Sequence, residues 1–166
     1  MMMNKNKSPI FIKAASLIGW VGICYFVAWT GATVSPGIAS PEWYDSIQKP
    51  SWNPPAWIFG PVWTFLYTAM GVAEGNVWRK HRFDQARVAL WLFIVQLVFN
   101  GLWSQLFFGM HLIGWAFFEI LILLFFIVLT TISFFYKSKL SGWLMVPYIA
   151  WVSFATVLNG TIWWIN

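Results

Sequence analysis

Five stretches of this chain stay apolar for longer than the ~18 residues that a bilayer-spanning helix requires. They are Ile10–Val34, Pro55–Trp78, Val88–Phe108, Leu112–Tyr136 and Gly142–Trp164. In hydrocarbon every backbone N–H and C=O must be satisfied by the protein itself, so only helices or a closed barrel can cross. The period-2 alternation of membrane barrel strands is absent, and the expected fold is an all-α bundle of five transmembrane helices. Charged residues make up 9% of the chain, against roughly 25% in soluble domains, so an integral membrane protein is expected. Residues 1–166 suffice for one such domain. The start, with Lys5 and Lys7 before an apolar run, resembles a secretory leader. The run from Ile10 to Val34 exceeds the ~7–15 residues of a leader core and is read as a span.

The connections are unequal. Residues 35–54 form a loop of some twenty residues, while the others are short and make successive helices antiparallel neighbours. Loops beyond about 12–15 residues are usually functional or disordered, and Trp43, Tyr44 and Trp52 argue against disorder here. Glu42–Gln48 reads as a short helix starting near Ser40 or Pro41, and the loop as a lid over the bundle. Asn53 is expected to cap the second helix, with Pro55 at its first turn. Pro61 and Pro147 fall inside helices two and five and are expected to bend them. The basic residues Lys5, Lys7, Lys13, Arg79, Lys80, Arg82, Arg87, Lys137 and Lys139 fall on one side of the bundle, against Lys49 alone on the other. The positive-inside rule then predicts a cytoplasmic N-terminus and a C-terminus on the opposite side, with inner versus outer membrane left open. These bases flank the spans, so they are loop charge and no nucleic-acid surface. Cys24, the single cysteine, has no intrachain disulfide partner, and no metal-ligand cluster is visible.

Fourteen tryptophans are an unusual supply of large, flat side chains. They suit either bilayer anchoring or a pocket for a flat apolar guest. Phe59, Trp63 and Tyr67 share one face of helix two. Asn100, Trp103 and Phe107 share a face of helix three, and Trp151, Ala155 and Leu158 a face of helix five. Such stripes serve packing as well as pockets; the small Ala155 leaves room for a guest, and Asn100 is expected to touch it. Glu119 lies within helix four, where a carboxyl is a functional candidate, with a hydrogen bond between helices as the structural alternative and the favoured expectation. Glu74 is expected to reach the membrane interface or Arg79. Gln96, Asn100, Gln105 and Asn159 are candidates to hold helices together. Gly71-Val-Ala-Glu-Gly75 permits close helix approach and dimerisation. The sequon Asn159-Gly160-Thr161 lies in a span and is rejected as a glycosylation site. No nucleophile–base pair, Gly-rich phosphate loop or paired carboxylate is visible, so hydrolase, kinase and zinc-enzyme chemistry has no support.

The run Trp43-Tyr44-Asp45, Lys49-Pro50-Ser51-Trp52-Asn53-Pro54-Pro55 and Trp63 closely resembles the translocator protein family, also called the tryptophan-rich sensory protein or peripheral benzodiazepine receptor family. Phe99-Asn100-Gly101-Leu102-Trp103-Ser104 resembles its third-helix motif. Pro147-Tyr148-Ile149-Ala150-Trp151, with Phe154-Ala155-Thr156 and Leu158-Asn159, resembles its fifth. The resemblance spans almost the whole chain. It implies a five-helix bundle, often a homodimer, that binds porphyrins such as protoporphyrin IX or haem, and other flat apolar molecules, beneath the first loop. No cofactor is required. Senses, sequesters or carries are the roles it implies; a non-catalytic scaffold is the alternative. It also implies light-dependent protoporphyrin breakdown in some members, with Trp63 and Trp151 as the residues concerned. Family ligand positions correspond to Tyr44, Pro54, Trp57, Trp63, Tyr67, Asn100, Trp103, Trp151, Ala155 and Leu158. Animal members carry a tyrosine and an arginine near the end of helix five, where this chain has Gly160 and Trp164, so dedicated sterol binding is not expected.

Overall fold

The computed structural model describes residues 10–35, 41–81 and 83–166. Lys5, Lys7, Ser40 and Arg82 lie outside the described residues, as does the Lys13 side chain. The described chain is all-helical: α1 (Ile10–Ala32), α2 (Pro41–Ser46), α3 (Ala56–Lys80), α4 (Phe83–Ser104), a π-helical turn (Gln105–Gly109), α5 (Ile113–Lys137) and α6 (Lys139–Ile165). Five helices are long and apolar enough to cross a bilayer.

The polar ends of the helices run further than the apolar runs that announced them. α3 ends at Lys80 and α4 starts at Phe83. Arg79 and Lys80 sit in the last turn of α3, and Asp84 in the first turn of α4. These charges complement the helix dipole, so helix continues into water where hydropathy has already fallen. Ser138 alone joins α5 to α6; its Oγ lies 3.5 Å from the Ser141 amide N–H that it caps. The lid helix is shorter than Glu42–Gln48 and ends at Ser46. Asn53 does not cap α3: Pro55 holds the cap position with no side-chain bond. The Asn53 amide instead donates to Pro54 O and accepts from the Tyr44 hydroxyl.

Helix contacts close into a ring, α1 against α3, α3 against α6, α6 against α5, α5 against α4 and α4 against α1. The half remote from the lid is filled by Met70, Phe93, Ile127, Phe134 and Met145, all fully buried. A smaller cluster of Tyr44, Phe107, Ala116, Leu158 and Ile162 lies under the lid.

Among the described glycines, Gly71 and Gly75 make the closest approach to another helix's backbone. A Cβ on Gly71 would fall 2.5 Å from Val21 Cα, and one on Gly75 3.0 Å from Leu17 Cα. The GxxxG face therefore packs on α1 of the same chain and is not free to meet a second copy, because both glycines are already buried there. Polar side chains tie the other seams. The Asn76 amide donates to Ser138 and Ser141 Oγ, each at 2.9 Å, joining α3 to the α5–α6 turn. Gln105 Nε2 donates to Thr30 O at 2.9 Å, joining the π turn to α1. Gln96 is the exception among the expected connectors: its amide is buried without a hydrogen-bond partner.

Gly71→Ala is expected to lower the thermal-unfolding midpoint of the purified protein. Overpacking against backbone costs ~1–3 kcal/mol, only partly offset by the ~1 kcal/mol that alanine gains in a helix. Gly19→Ala, with nothing within 4 Å of the new Cβ, is expected to leave the midpoint unchanged or raised.

Candidate functional site

α1 and α3 meet backbone to backbone at Gly71 and Gly75. Toward the lid their side chains become large, and the Tyr25 hydroxyl bonds Thr68 Oγ1 at 2.8 Å and donates to Thr64 O. Past that point a cavity of about 590 Å³ opens beneath the lid. α1 contributes Tyr25, Ala28 and Trp29. α3 contributes Trp57, Phe59, Gly60, Trp63 and Tyr67. Trp103 and Phe107 come from α4 and the π turn, Trp151, Ala155 and Leu158 from α6, and Tyr44 from the lid. Trp29 and Trp57 are 63% and 74% exposed, so this edge of the wall faces the surroundings of the bundle. α5 contributes nothing to it.

Ring contacts set the wall. Trp63 lies 5.4 Å from Tyr67 and 6.3 Å from Tyr148, centroid to centroid. Trp151 packs edge-on to Phe59 at 5.8 Å, and Trp103 stacks on Phe107 at 5.1 Å. The Trp103 indole N–H donates to Asn159 Oδ1 at 3.0 Å, and the Asn159 amide donates to Ile113 O at 3.0 Å. That bond fixes the Trp103 ring and consumes the asparagine of the rejected sequon.

Asn100 is not on the cavity wall. It is 3% exposed, accepts from the Tyr67 hydroxyl, and donates to the Tyr148 hydroxyl at 2.7 Å. It thus clamps α3, α4 and α6 behind the wall and holds Tyr67, which does line the cavity. Pro54 is also off the wall. Tyr44, Trp57, Trp63, Tyr67, Trp103, Trp151, Ala155 and Leu158 are on it. The periodicity reading left out the α1 wall, although Tyr25 and Trp29 are four apart and Ala28 and Ala32 leave space beside them. It also left out Phe108, which the π turn presents: Met110 N–H reaches back to Gln105 O, shifting the ring positions from the α-helical phase.

The lid is held at several points. Trp43 stacks on His111 at 4.1 Å, a residue with φ of 59° in the turn after the π helix. Trp52 packs edge-on to Phe154 at 5.9 Å. Lys49 donates to Tyr44 O and to Ile47 O and lies 4.5 Å over the Tyr44 ring. This closes the end of α2. Burial pushes the Tyr44 phenol above its usual value, its bond to Asn53 partly opposing this and Asp45 adding to it. Gln48 is bonded twice to Asn166: its N–H donates to Oδ1 at 2.9 Å and its C=O accepts from Nδ2 at 3.0 Å.

The intramembrane carboxyls are placed differently from expectation. Glu74 is fully buried with neither oxygen bonded. It reaches neither the interface nor Arg79, because it lies six residues, about 9 Å of helix, before Lys80. Glu119 is 6% exposed and likewise unbonded, so the expected bond between helices is not made.

Five bilayer-length helices, four of which line an aromatic cavity beneath α2, define a multi-pass integral membrane protein with an internal compartment of small-molecule size. The chain belongs to the TspO/MBR family, whose model matches residues 20–165. It is 43% identical over 150 residues to the tryptophan-rich protein TspO of Chlorobaculum tepidum, covering 88% of this chain and 92% of that one. It is 41% identical over 124 residues to the human translocator protein, covering 74% and 73%. To the tryptophan-rich sensory protein of Cereibacter sphaeroides it is 37% identical over 145 residues, covering 87% of each.

Truncating Asn100 to alanine leaves two buried tyrosine hydroxyls unpaired and is expected to cost about 2 kcal/mol, read as a lowered unfolding midpoint in detergent. Asn166→Ala removes both bonds to Gln48. Each kcal/mol lost speeds local opening about fivefold, so hydrogen exchange over residues 41–55 is expected to accelerate while that of α4 is unchanged.

Proposed function

We propose that the protein binds tetrapyrroles, protoporphyrin IX ahead of haem, in the cavity beneath its lid, and senses, sequesters or carries them. The observation that supports this most is the cavity itself. Its volume of about 590 Å³ falls in the range of ~300–1,000 Å³ typical of small-molecule pockets, and its wall is dominated by flat rings. A guest here gains chiefly from apolar burial, ~25 cal/mol per Å² before the costs of association. Trp63, Trp103 and Trp151 would offer stacking surface, and hydroxyls of the wall, among them Tyr44, Ser104 and Thr64, would orient it. Among the described residues, His, Cys and Met do not figure in the lining, which favours metal-free protoporphyrin over haem held through such a ligand. A pocket of this size weighs against a purely scaffolding role for the bundle. The names of relatives, among them a sensory protein and several translocator proteins, agree with a small-molecule role.

Light-driven oxidative breakdown of the bound porphyrin is the second reading, favoured by Trp63 and Trp151 both lining the cavity. The basic residues at the α3–α4 and α5–α6 ends support a cytoplasmic N-terminus. A homodimer would need a face other than the Gly71–Gly75 seam.

Tryptophan fluorescence quenched by protoporphyrin IX in the dark tests the binding reading. Saturable quenching is expected, with Trp151→Ala about tenfold weaker, or 1.4 kcal/mol. Unchanged affinity in a folded Trp151→Ala protein overturns this pocket. Under illumination, a defined oxidised tetrapyrrole lost in Trp63→Phe and Trp151→Phe would establish the second reading, and bleaching at the free-dye rate would end it.

A further inference from the structure

Glu119 is an ionisable side chain within the bundle that the lid cavity does not use. Its two oxygens are buried and bonded to nothing. A buried polar group without a partner is costly, and inside a membrane such a group marks a functional site by default. A second hollow of about 320 Å³ lies beside it, walled by Leu106, Leu112, Trp115, Phe118 and Ile122. It shares no residue with the lid cavity. Trp115, Phe118 and Ile122 recur along one exposed face of α5, so the hollow opens toward the bilayer. Glu119 is six residues into α5, about 9 Å along the axis, on the lid side of the membrane. Glu74 is the contrasting case: fully buried and lining neither hollow.

We propose that this hollow binds a lipophilic amine, its ammonium group on Glu119 and its apolar body against Leu106, Leu112 and Ile122. The chemistry selects this occupant over other amphiphiles. The wall has one acidic group and no basic one, so a fatty acid or phosphate ester would meet like charge without compensation. An ammonium group supplies the N–H donors that the carboxyl lacks and complements its charge. Trp115 and Phe118 add ring faces that attract a cation more strongly than a neutral hydroxyl. A long-chain alcohol offers neither charge nor cation–π attraction. The site is independent of porphyrin binding beneath the lid.

Dicyclohexylcarbodiimide, an apolar reagent for carboxyl groups in membranes, tests the site in the full-length protein in phosphatidylcholine nanodiscs. Peptide mass spectrometry is expected to find the adduct on Glu119 and none on Glu74. N,N-dimethyldodecylamine, which cannot form an amide, is expected to slow labelling saturably by about tenfold, and dodecanol to leave it unchanged. Native mass spectrometry is expected to show one amine retained per wild-type chain and none by Glu119→Gln, a variant that disrupts no existing bond. An unlabelled Glu119, as when a second copy of the chain seals the hollow, overturns the proposal. So does equal protection by amine and alcohol, or equal amine retention by wild type and Glu119→Gln.

Discussion

Two helices touch along their backbones most readily where side chains are missing, and α1 meets α3 in this way at Gly71 and Gly75. The remainder of the bundle follows from that seam. Where α1 and α3 are held together, the interior has room only for well-packed Met, Phe and Ile. Toward the lid the same helices carry Tyr25, Trp29, Trp57 and Trp63. These side chains are too large for a second backbone contact, so the space between the helices widens into a cavity. Glycine at one end and indole at the other thus give the α1–α3 seam a closed half and an open half.

Polar pairing then decides which helices form the wall. Apolar attraction between helices is weak in lipid, and hydrogen bonds of ~1 kcal/mol carry much of the specificity. Asn100 draws Tyr67 and Tyr148 together, and Asn159 does the same for Trp103 and the start of α5. Asn100 fixes its aromatic ring from behind the cavity wall, whereas Asn159 does so from the wall itself. The tryptophans divide between two tasks. Nine are exposed, as residues suited to the bilayer interface would be; Trp63, Trp103 and Trp151 face the cavity, and Trp29 and Trp57, at its open edge, serve both.

Much of this was legible from residue order, for identifiable reasons. Bilayer-length apolar runs announce helices directly, and the faces of Trp63, Trp103 and Trp151 follow from a 3.6-residue period. Helix ends were less legible because hydropathy reports where hydrocarbon stops, whereas Arg79, Lys80 and Asp84 prolong helices in water. Asn100 shares a stripe with Trp103, but its role depends on Tyr148, which lies 48 residues away and has no sequence mark of its position. The glycine pair signalled a close approach without naming α1 as its partner. The π turn was invisible, since a single added residue per turn leaves the composition of Gln105–Gly109 unremarkable. The bonding of Glu74 and Glu119 was misjudged for one reason: a lone carboxyl in a span reads as a partner-seeker, and spacing cannot show that no donor is within reach.

The single-residue connection at Ser138 bears on how the protein is made. With no slack between them, α5 and α6 enter the bilayer as one hairpin, and neither can wait in water for the other. α6 carries Trp151, Ala155 and Leu158, and its closing asparagine, Asn166, reaches the lid. Until that hairpin inserts, the compartment has an open side and its cover lacks an anchor. During biogenesis, therefore, a chain that has not yet placed α6 offers a greasy cleft to lipid, and a guest-sized chamber exists only once α6 has docked.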